Sequence, residues 1–212
     1  MGGLTANFRS ELIEMAHLLN RMTPDLIVKA YSMGVFPMGD SAHPNAPVRW
    51  YAPDPRCILD IENFHTPKRL ARTYRQGKFE CRVNSAWSNV LRLCAARDST
   101  WITEDIYRVY TELHRQGLAH SVEVYSEGKL AGGLYGVSLG GAFMGESMFH
   151  IVTDASKIAL IFLVERMKER GFTLLDCQFM TEHLSKFGAI NIPQSEYMAR
   201  LQHALELDVK FN

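Results

Sequence analysis

No apolar run in this chain is long enough to cross a bilayer: the longest, Ile158 to Val164, falls far short of the ~20 residues a spanning helix needs. Nor is there an excess of either charge. Lys and Arg number 23 and Asp and Glu 23, whereas proteins that grip nucleic acid through its phosphates are usually basic. Any nucleic-acid contact is therefore expected to be a local patch or the reading of one exposed end. Cysteine is scarce, and Cys57, Cys81, Cys94 and Cys177 form no C-x-x-C pair and have no His at zinc spacing. Reduced, mostly buried thiols are expected, and no metal. The chain lacks repeats and low-complexity stretches; at 47% apolar and 22% charged it is neither disordered nor fibrous. Arg9, Glu11 and Glu14 stand where a signal peptide would be apolar, and Ala6 where a myristoylation site needs Ser or Thr. A cytoplasmic monomer, without a membrane partner, is expected.

The 212 residues leave room for one large domain or two small fused ones. Leu12, Met15, Ala16 and Leu19 have helical spacing within residues 9–22, and Thr23-Pro24 starts a fresh helix that Gly34 stops. Phe36 to Pro55 is rich in proline and reads as a long loop with one strand near Val48 to Tyr51. Strands are expected over Cys57–Ile61 and Phe79–Val83, with helices from Thr66 to Gly77, Ser85 to Ala96 and Thr103 to Gly117. Beyond His120 three antiparallel strands are punctuated by Glu127-Gly128 and Gly140-Gly141. Asp154 then caps a helix to Arg170, Thr173–Cys177 is a buried strand, Thr181 caps a brief helix, and Ser195–Leu205 is the last. The order β-β-β-α-β-α predicts an α+β sheet of the acyltransferase kind. The expected division is a smaller α/β N-terminal domain over 1–95 and a catalytic domain over 96–212.

Three places depart from what packing alone would ask. Glu146 lies between Gly145 and the apolar pair Met148-Phe149 at a strand end; it is either a solvated edge residue or faces a cavity or a cation. Asp176 and Gln178 flank Cys177 and by strand alternation share one face. Side by side they could hold an amine, the acid attracting its charge and the amide oxygen accepting a hydrogen bond; the plainer reading is a loop-anchoring Asp. Trp101 and Trp50-Tyr51 are stacking platforms or hydrophobic plugs. The chain has no G-x-S-x-G elbow, no P-loop, no dinucleotide fingerprint and no Arg/Gln-x-x-Gly-x-Gly/Ala turn for coenzyme A. No cofactor is expected.

The blocks Ala30-Tyr31-Ser32-Met33-Gly34-Val35-Phe36-Pro37, Trp101-Ile102-Thr103, His120-Ser121-Val122-Glu123, Gly132-Gly133-Leu134-Tyr135-Gly136, Gly145-Glu146-Ser147-Met148-Phe149, Ala155-Ser156-Lys157 and Asp176-Cys177-Gln178 carry a resemblance in their order and spacing. Over roughly residues 23–200 the chain resembles the bacterial leucyl/phenylalanyl-tRNA–protein transferases. The resemblance implies transfer of Leu or Phe from aminoacyl-tRNA to the N-terminal Lys or Arg of acceptor proteins, which marks them for degradation. It also implies an acetyltransferase-like (GNAT-related) C-terminal domain. It makes Asp176 and Gln178 the catalytic pair, with Glu146 and Ser147 positioning substrates. Leu134, Phe143 and Met148 would line the donor side-chain pocket, and Trp101 would hold the terminal adenine. Many relatives carry Trp after the Phe-Pro pair; here the residue is Met38.

The reaction so implied is aminolysis of an ester that is already activated, so it needs a neutral amine, a held geometry and donors for the oxyanion. An Asp near its usual ~3.9 is a poor base for an ammonium ion; Asp176 is expected to capture and orient the α-amine and Gln178 to fix its lone pair toward the ester, with final proton transfer through Asp176 or the adenosine 2′-hydroxyl. Lys68, Arg69, Arg72 and Arg75 form either a tRNA contact or a solvated helix face. The rival readings are a coenzyme-A-dependent N-acyltransferase and a noncatalytic adaptor for basic N-termini.

Overall fold

A computed structural model describes residues 22–40, 46–96 and 100–212; the expected helix over 9–22 lies outside them, apart from Met22. Among the described residues the chain opens with α1 (Pro24–Ser32), where Thr23 Oγ1 accepts from the Leu26 N–H and Pro24 supplies the preset first turn. The segment expected to be mostly loop instead forms a two-stranded antiparallel ribbon of β1 (Phe36–Gly39) and β2 (Val48–Tyr51). Pro37 stands in this two-stranded edge structure, where its missing N–H is tolerated.

Next come β3 (Arg56–Leu59), α2 (Lys68–Arg75), β4 (Glu80–Val83), α3 (Trp87–Ala95) and α4 (Glu104–Arg115). The hairpin strands are β5 (Ala119–Ser126), β6 (Lys129–Leu139) and β7 (Ala142–His150). They are followed by α5 (Ala155–Arg170), β8 (Leu174–Gln178), α6 (Glu182–Ser185), β9 (Ala189–Ile192) and α7 (Gln194–Leu205). Asp154 does not cap α5 with its side chain; its carboxylate pairs with Lys157 and Arg69 instead. The sequence reading lacked β9, whose four residues alternate buried ends with an exposed middle and give no run of pattern to read.

Seven strands form one sheet in the order β4-β5-β6-β7-β8-β3-β9, antiparallel except for β7 against β8. The fold is thus α+β. The division at residue 95 is not followed by the sheet, because β3 and β4 precede it yet hydrogen-bond into the same sheet as the later strands. A strand with buried polar backbone must find partners, and Arg56–Leu59, buried at every position, finds them on β8 and β9. One face of the sheet packs on α1, α3, α4 and α7 through residues such as Ile27, Trp87, Tyr110 and Leu201. The other packs on α5 and its neighbours through Leu134, Phe143, Ile161 and Leu175. No helix among the described residues is long and apolar enough to cross a membrane.

The parallel pair is what opens a site. β7 and β8 are in register only from Ala142 to Met144 against Leu174 to Asp176. Beyond that point β7 stays with β6 and β8 stays with β3, so the two strands part and leave a cleft between Gly145 and Gln178.

Candidate active site

The cleft holds a cavity of about 480 Å³, the size of a small ligand's pocket rather than of a nucleic-acid groove. Gly145, Glu146, Ser147 and Met148 of β7 form one wall; Leu175, Cys177 and Gln178 of β8 form the other. Leu160 and Leu163 of α5, with Leu134 and Leu184, make the apolar interior. Phe36, Met38 and Trp101 stand together at another part of the lining.

Two local irregularities aim the polar residues. Along β6 and β7 the pairing passes from Tyr135–Ser147 to Gly136–Gly145, which leaves Glu146 as the extra residue of the strand. Such an insertion bends the strand and redirects a side chain. Gly136 is what lets β7 kink there, since a Cβ on it would lie 2.3 Å from the Met144 carbonyl oxygen. On the other wall the pairing of β3 with β8 passes from Cys57–Gln178 to Ile58–Asp176, and Cys177 is the extra residue. Gln178 then takes φ of +64°, a left-handed conformation that is costly for a residue with a side chain and holds only where its surroundings fix it.

What fixes it is Asp176. The Gln178 N–H donates to Asp176 Oδ1 at 2.9 Å. The same carboxylate receives Arg56 Nε at 2.9 Å, Arg56 Nη2 at 2.6 Å and the Tyr197 hydroxyl at 2.8 Å. Arg56 also donates to the Gly34 carbonyl at 3.0 Å and lies between the Phe36 and Tyr197 rings, 4.6 and 4.5 Å from their centroids. Burial works against the guanidinium's charge, but the Asp176 carboxylate more than offsets it and raises the Arg56 pKa. Asp176 is fully buried and takes no part in the cavity wall. The expectation that Asp176 and Gln178 face one opening is therefore corrected. Asp176 points to the side of the sheet that carries Tyr197, while the left-handed turn at Gln178 carries its amide into the cavity.

There Gln178 Nε2 donates to Glu146 Oε1 at 3.3 Å. Behind Glu146, the Tyr31 hydroxyl donates to the same oxygen and the Tyr110 hydroxyl lies 3.4 Å from the other. The two phenols also share a hydrogen bond with each other. Burial, and then the charge of Glu146, raise both phenols well above their ordinary pKa, so they remain donors. Burial likewise pushes the Glu146 carboxyl up to about 8; the Asp176 charge adds to this, and the phenol hydrogen bonds and Arg56 partly oppose it. Among the described residues Glu146 is the one carboxyl group lining the cavity.

The structure brings together Glu146, Ser147, Gln178, Leu134, Met148 and Trp101, all of which line the cavity. Phe143 does not join them. It lies on the same face of the sheet as the cavity-lining Leu134 and Leu175 but farther along β7, fully buried with its ring against Phe211, centroids 5.0 Å apart. Met38 and Trp101 are held side by side by a hydrogen bond from the Gly39 N–H to the Trp101 carbonyl, 3.0 Å. A Cβ at position 39 would lie 2.6 Å from that same oxygen. Tyr31, Tyr110, Arg56 and Tyr197 were not singled out by their chemistry in the sequence. Arg56 gave one signal, a charged residue opening an otherwise apolar strand. Among the described residues no cluster of three or more His, Cys, Asp or Glu side chains could hold a metal.

Comparison with known proteins identifies the family. The family described as leucyl/phenylalanyl-tRNA protein transferase matches residues 58–202, and that family's N-terminal domain matches residues 20–54. The leucyl/phenylalanyl-tRNA–protein transferase of Rubrobacter xylanophilus is 53% identical over 192 residues, covering 90% of this chain and 99% of that protein. That of Gloeobacter violaceus is 50% identical over 194 residues, covering 92% and 100%. Among solved structures, L-PGS from Bacillus licheniformis aligns with a TM-score of 0.46 and 12% identity over 84% of this chain and 69% of that one. The chain belongs to the leucyl/phenylalanyl-tRNA–protein transferase family and is an enzyme that passes Leu or Phe from tRNA to protein.

Proposed function

We propose that Glu146 and Gln178 together receive the acceptor's α-amine, that Glu146 takes its proton, and that Asp176 acts from behind as a positioning residue. The observation that carries this reading is the Glu146–Gln178 contact inside the cavity, with the carboxyl raised to about 8. An α-ammonium loses its proton near ~7.7–8.0. Transfer to a carboxylate of matching affinity is nearly level in free energy. Transfer to an Asp at ~3.9 would climb about 4 pKa units, or ~5–6 kcal/mol. Because Gln178 spends an N–H on Glu146, its carbonyl oxygen is left to accept an amine N–H and turn the lone pair toward the ester.

The donor's Leu or Phe side chain fits the apolar interior of Leu134, Met148, Leu160, Leu163 and Leu175. Such a wall separates two apolar side chains by only ~1–3 kcal/mol per methylene, so acceptance of both is expected. Trp101 and Met38 take the terminal adenosine between an indole face and a thioether, the latter a weaker but workable aromatic contact. We read the splayed sheet as acetyltransferase-like, with the cleft between β7 and β8 used for an aminoacyl ester. The exposed face of α2, carrying Lys68, Arg72 and Arg75, extends this site toward the tRNA stem. Arg69 of the same helix reaches Asp154 at 2.7 Å beside the cavity-lining Lys157.

The acceptor brings two cationic groups, its α-ammonium and a Lys or Arg side chain, to a cavity whose only lining acid among the described residues is Glu146. The test is transfer of radiolabelled Leu from tRNA to proteins that differ only in their first residue. Arg- and Lys-starting proteins are labelled and Asp-starting ones are not. Equal labelling of all three would overturn the acceptor assignment.

A further inference from the structure

Two of the four cysteines sit together in the wall of the active site. Cys57 on β3 is fully buried, and Cys177 on β8 is half-buried and lines the cavity. The strands are hydrogen-bonded neighbours, and Cys177 is the extra residue at the shift in their register, directly before Gln178. Both side chains belong to the same face of the sheet, with Leu59 and Leu175 on either side. Cys57 stands opposite Gln178 in the ladder and Cys177 is the residue inserted beside it, so the two thiols neighbour each other on adjacent strands. A third sulfur, Met180 Sδ, lies 3.9 Å from Cys57 Sγ. Neither thiol has a part in the aminolysis, and packing alone would be served by Ala or Val at either place.

We infer that Cys57 and Cys177 form a site of reversible oxidative modification, in which a small peroxide entering the active-site cavity joins them as a disulfide and stops transfer. Cys177 is the thiol that the cavity exposes. Its thiolate attacks a peroxide oxygen, an S–O bond forms, the O–O bond breaks, and hydroxide leaves to give a sulfenic acid. Cys57 then attacks that sulfur, the S–S bond forms and the S–O bond breaks. Two thiols and one hydrogen peroxide become one disulfide and two waters. The neighbouring thiol lowers the Cys57 pKa, which favours the second step, while Cys57 and burial raise that of Cys177, which slows the first.

Adjacent antiparallel strands bring side chains within reach of a disulfide, which needs Cα atoms ~4.4–6.8 Å apart. The bond would draw Cys177 against β3 and out of the cavity wall. The next residue is Gln178, whose left-handed backbone and Nε2 contact with Glu146 depend on where Cys177 sits. Loss of the amine-receiving geometry follows, and a dithiol reductant restores it. This goes beyond the proposed roles of Glu146 and Gln178, and its chemical half is read without any activity.

The full-length protein is treated with hydrogen peroxide, quenched and digested without reduction. A peptide joining Cys57 to Cys177 is expected, with a mass 2 Da below the sum of its halves. Transfer from Leu-tRNA should fall at least tenfold and return on treatment with dithiothreitol. The Cys57→Ala variant, with Cys57→Val as a second filling of the same space, keeps the untreated activity. After peroxide neither variant shows the crosslink; oxidation stops at the Cys177 sulfenic acid, which dimedone labels in the variants and not in the native protein. Oxidation of the native thiols without the crosslink would overturn the inference, as would a crosslink that leaves transfer unchanged.

Discussion

Replacing Glu146 with Gln should make the protein more stable at pH 8 while removing its activity. The wild-type carboxyl is raised from 4.5 to about 8 by burial. In the unfolded chain it ionises near its ordinary value. Between these two pH values the folded protein holds a proton that the unfolded chain has released, so stability falls as pH rises through the window. The fall is ~1.36 kcal/mol per unit over about 3.5 units, an upper figure of ~5 kcal/mol. The residue still touches the cavity, so ~2–5 kcal/mol is the working range. Gln is close to the protonated form in shape: its carbonyl can accept from the Tyr31 hydroxyl as Oε1 does, and its NH2 can donate to the Tyr110 hydroxyl oxygen in the place of Oε2. The variant should therefore lose this pH dependence. Urea unfolding of both proteins at pH 5, 6.5 and 8 measures it. The midpoints should nearly coincide at pH 5 and separate progressively toward pH 8, with the variant higher. Parallel curves, or a variant weaker at pH 8, would show that the carboxyl is not held in a penalising site.

Asp176→Ala should act first on the fold. It leaves Arg56 buried without its carboxylate and removes the anchor of the Gln178 N–H, a change of ~3–5 kcal/mol visible in thermal unfolding; full native stability with lost catalysis would return Asp176 to a direct role. Trp101→Ala should raise the donor KM about 5- to 150-fold for the ~1–3 kcal/mol of a lost base stack, with kcat little changed. Met38→Trp should lower the same KM, and a rise instead would place the adenosine elsewhere.

The long amphipathic helices and the three hairpin strands were legible because local pattern and tertiary burial agree there. Thr23 and Thr103 accept from the N–H groups three residues on, as a reader of capping residues expects. The site was legible as residue types but not as geometry. Strand alternation assigns Asp176 and Gln178 to one face, and it fails because the ladder carries an extra residue at Cys177 and a left-handed turn at Gln178. Glu146 is likewise displaced by an extra residue in β7, and Phe143, before that shift, packs deeper on the same face against Phe211. Such shifts depend on the partner strand, which a linear pattern does not contain. The Tyr31, Tyr110 and Arg56 partners join positions 36 to 120 residues apart, so only the folded sheet assembles them.

The claim that the amine's proton passes to Glu146 is tested most directly by single-turnover transfer from Leu-tRNA to an Arg-starting peptide, comparing wild type with Glu146→Gln. Removing a general base costs ~10²–10⁴-fold, so the account expects a loss of that size with donor affinity within a few-fold of wild type. A variant that transfers Leu within threefold of the wild-type rate would contradict it.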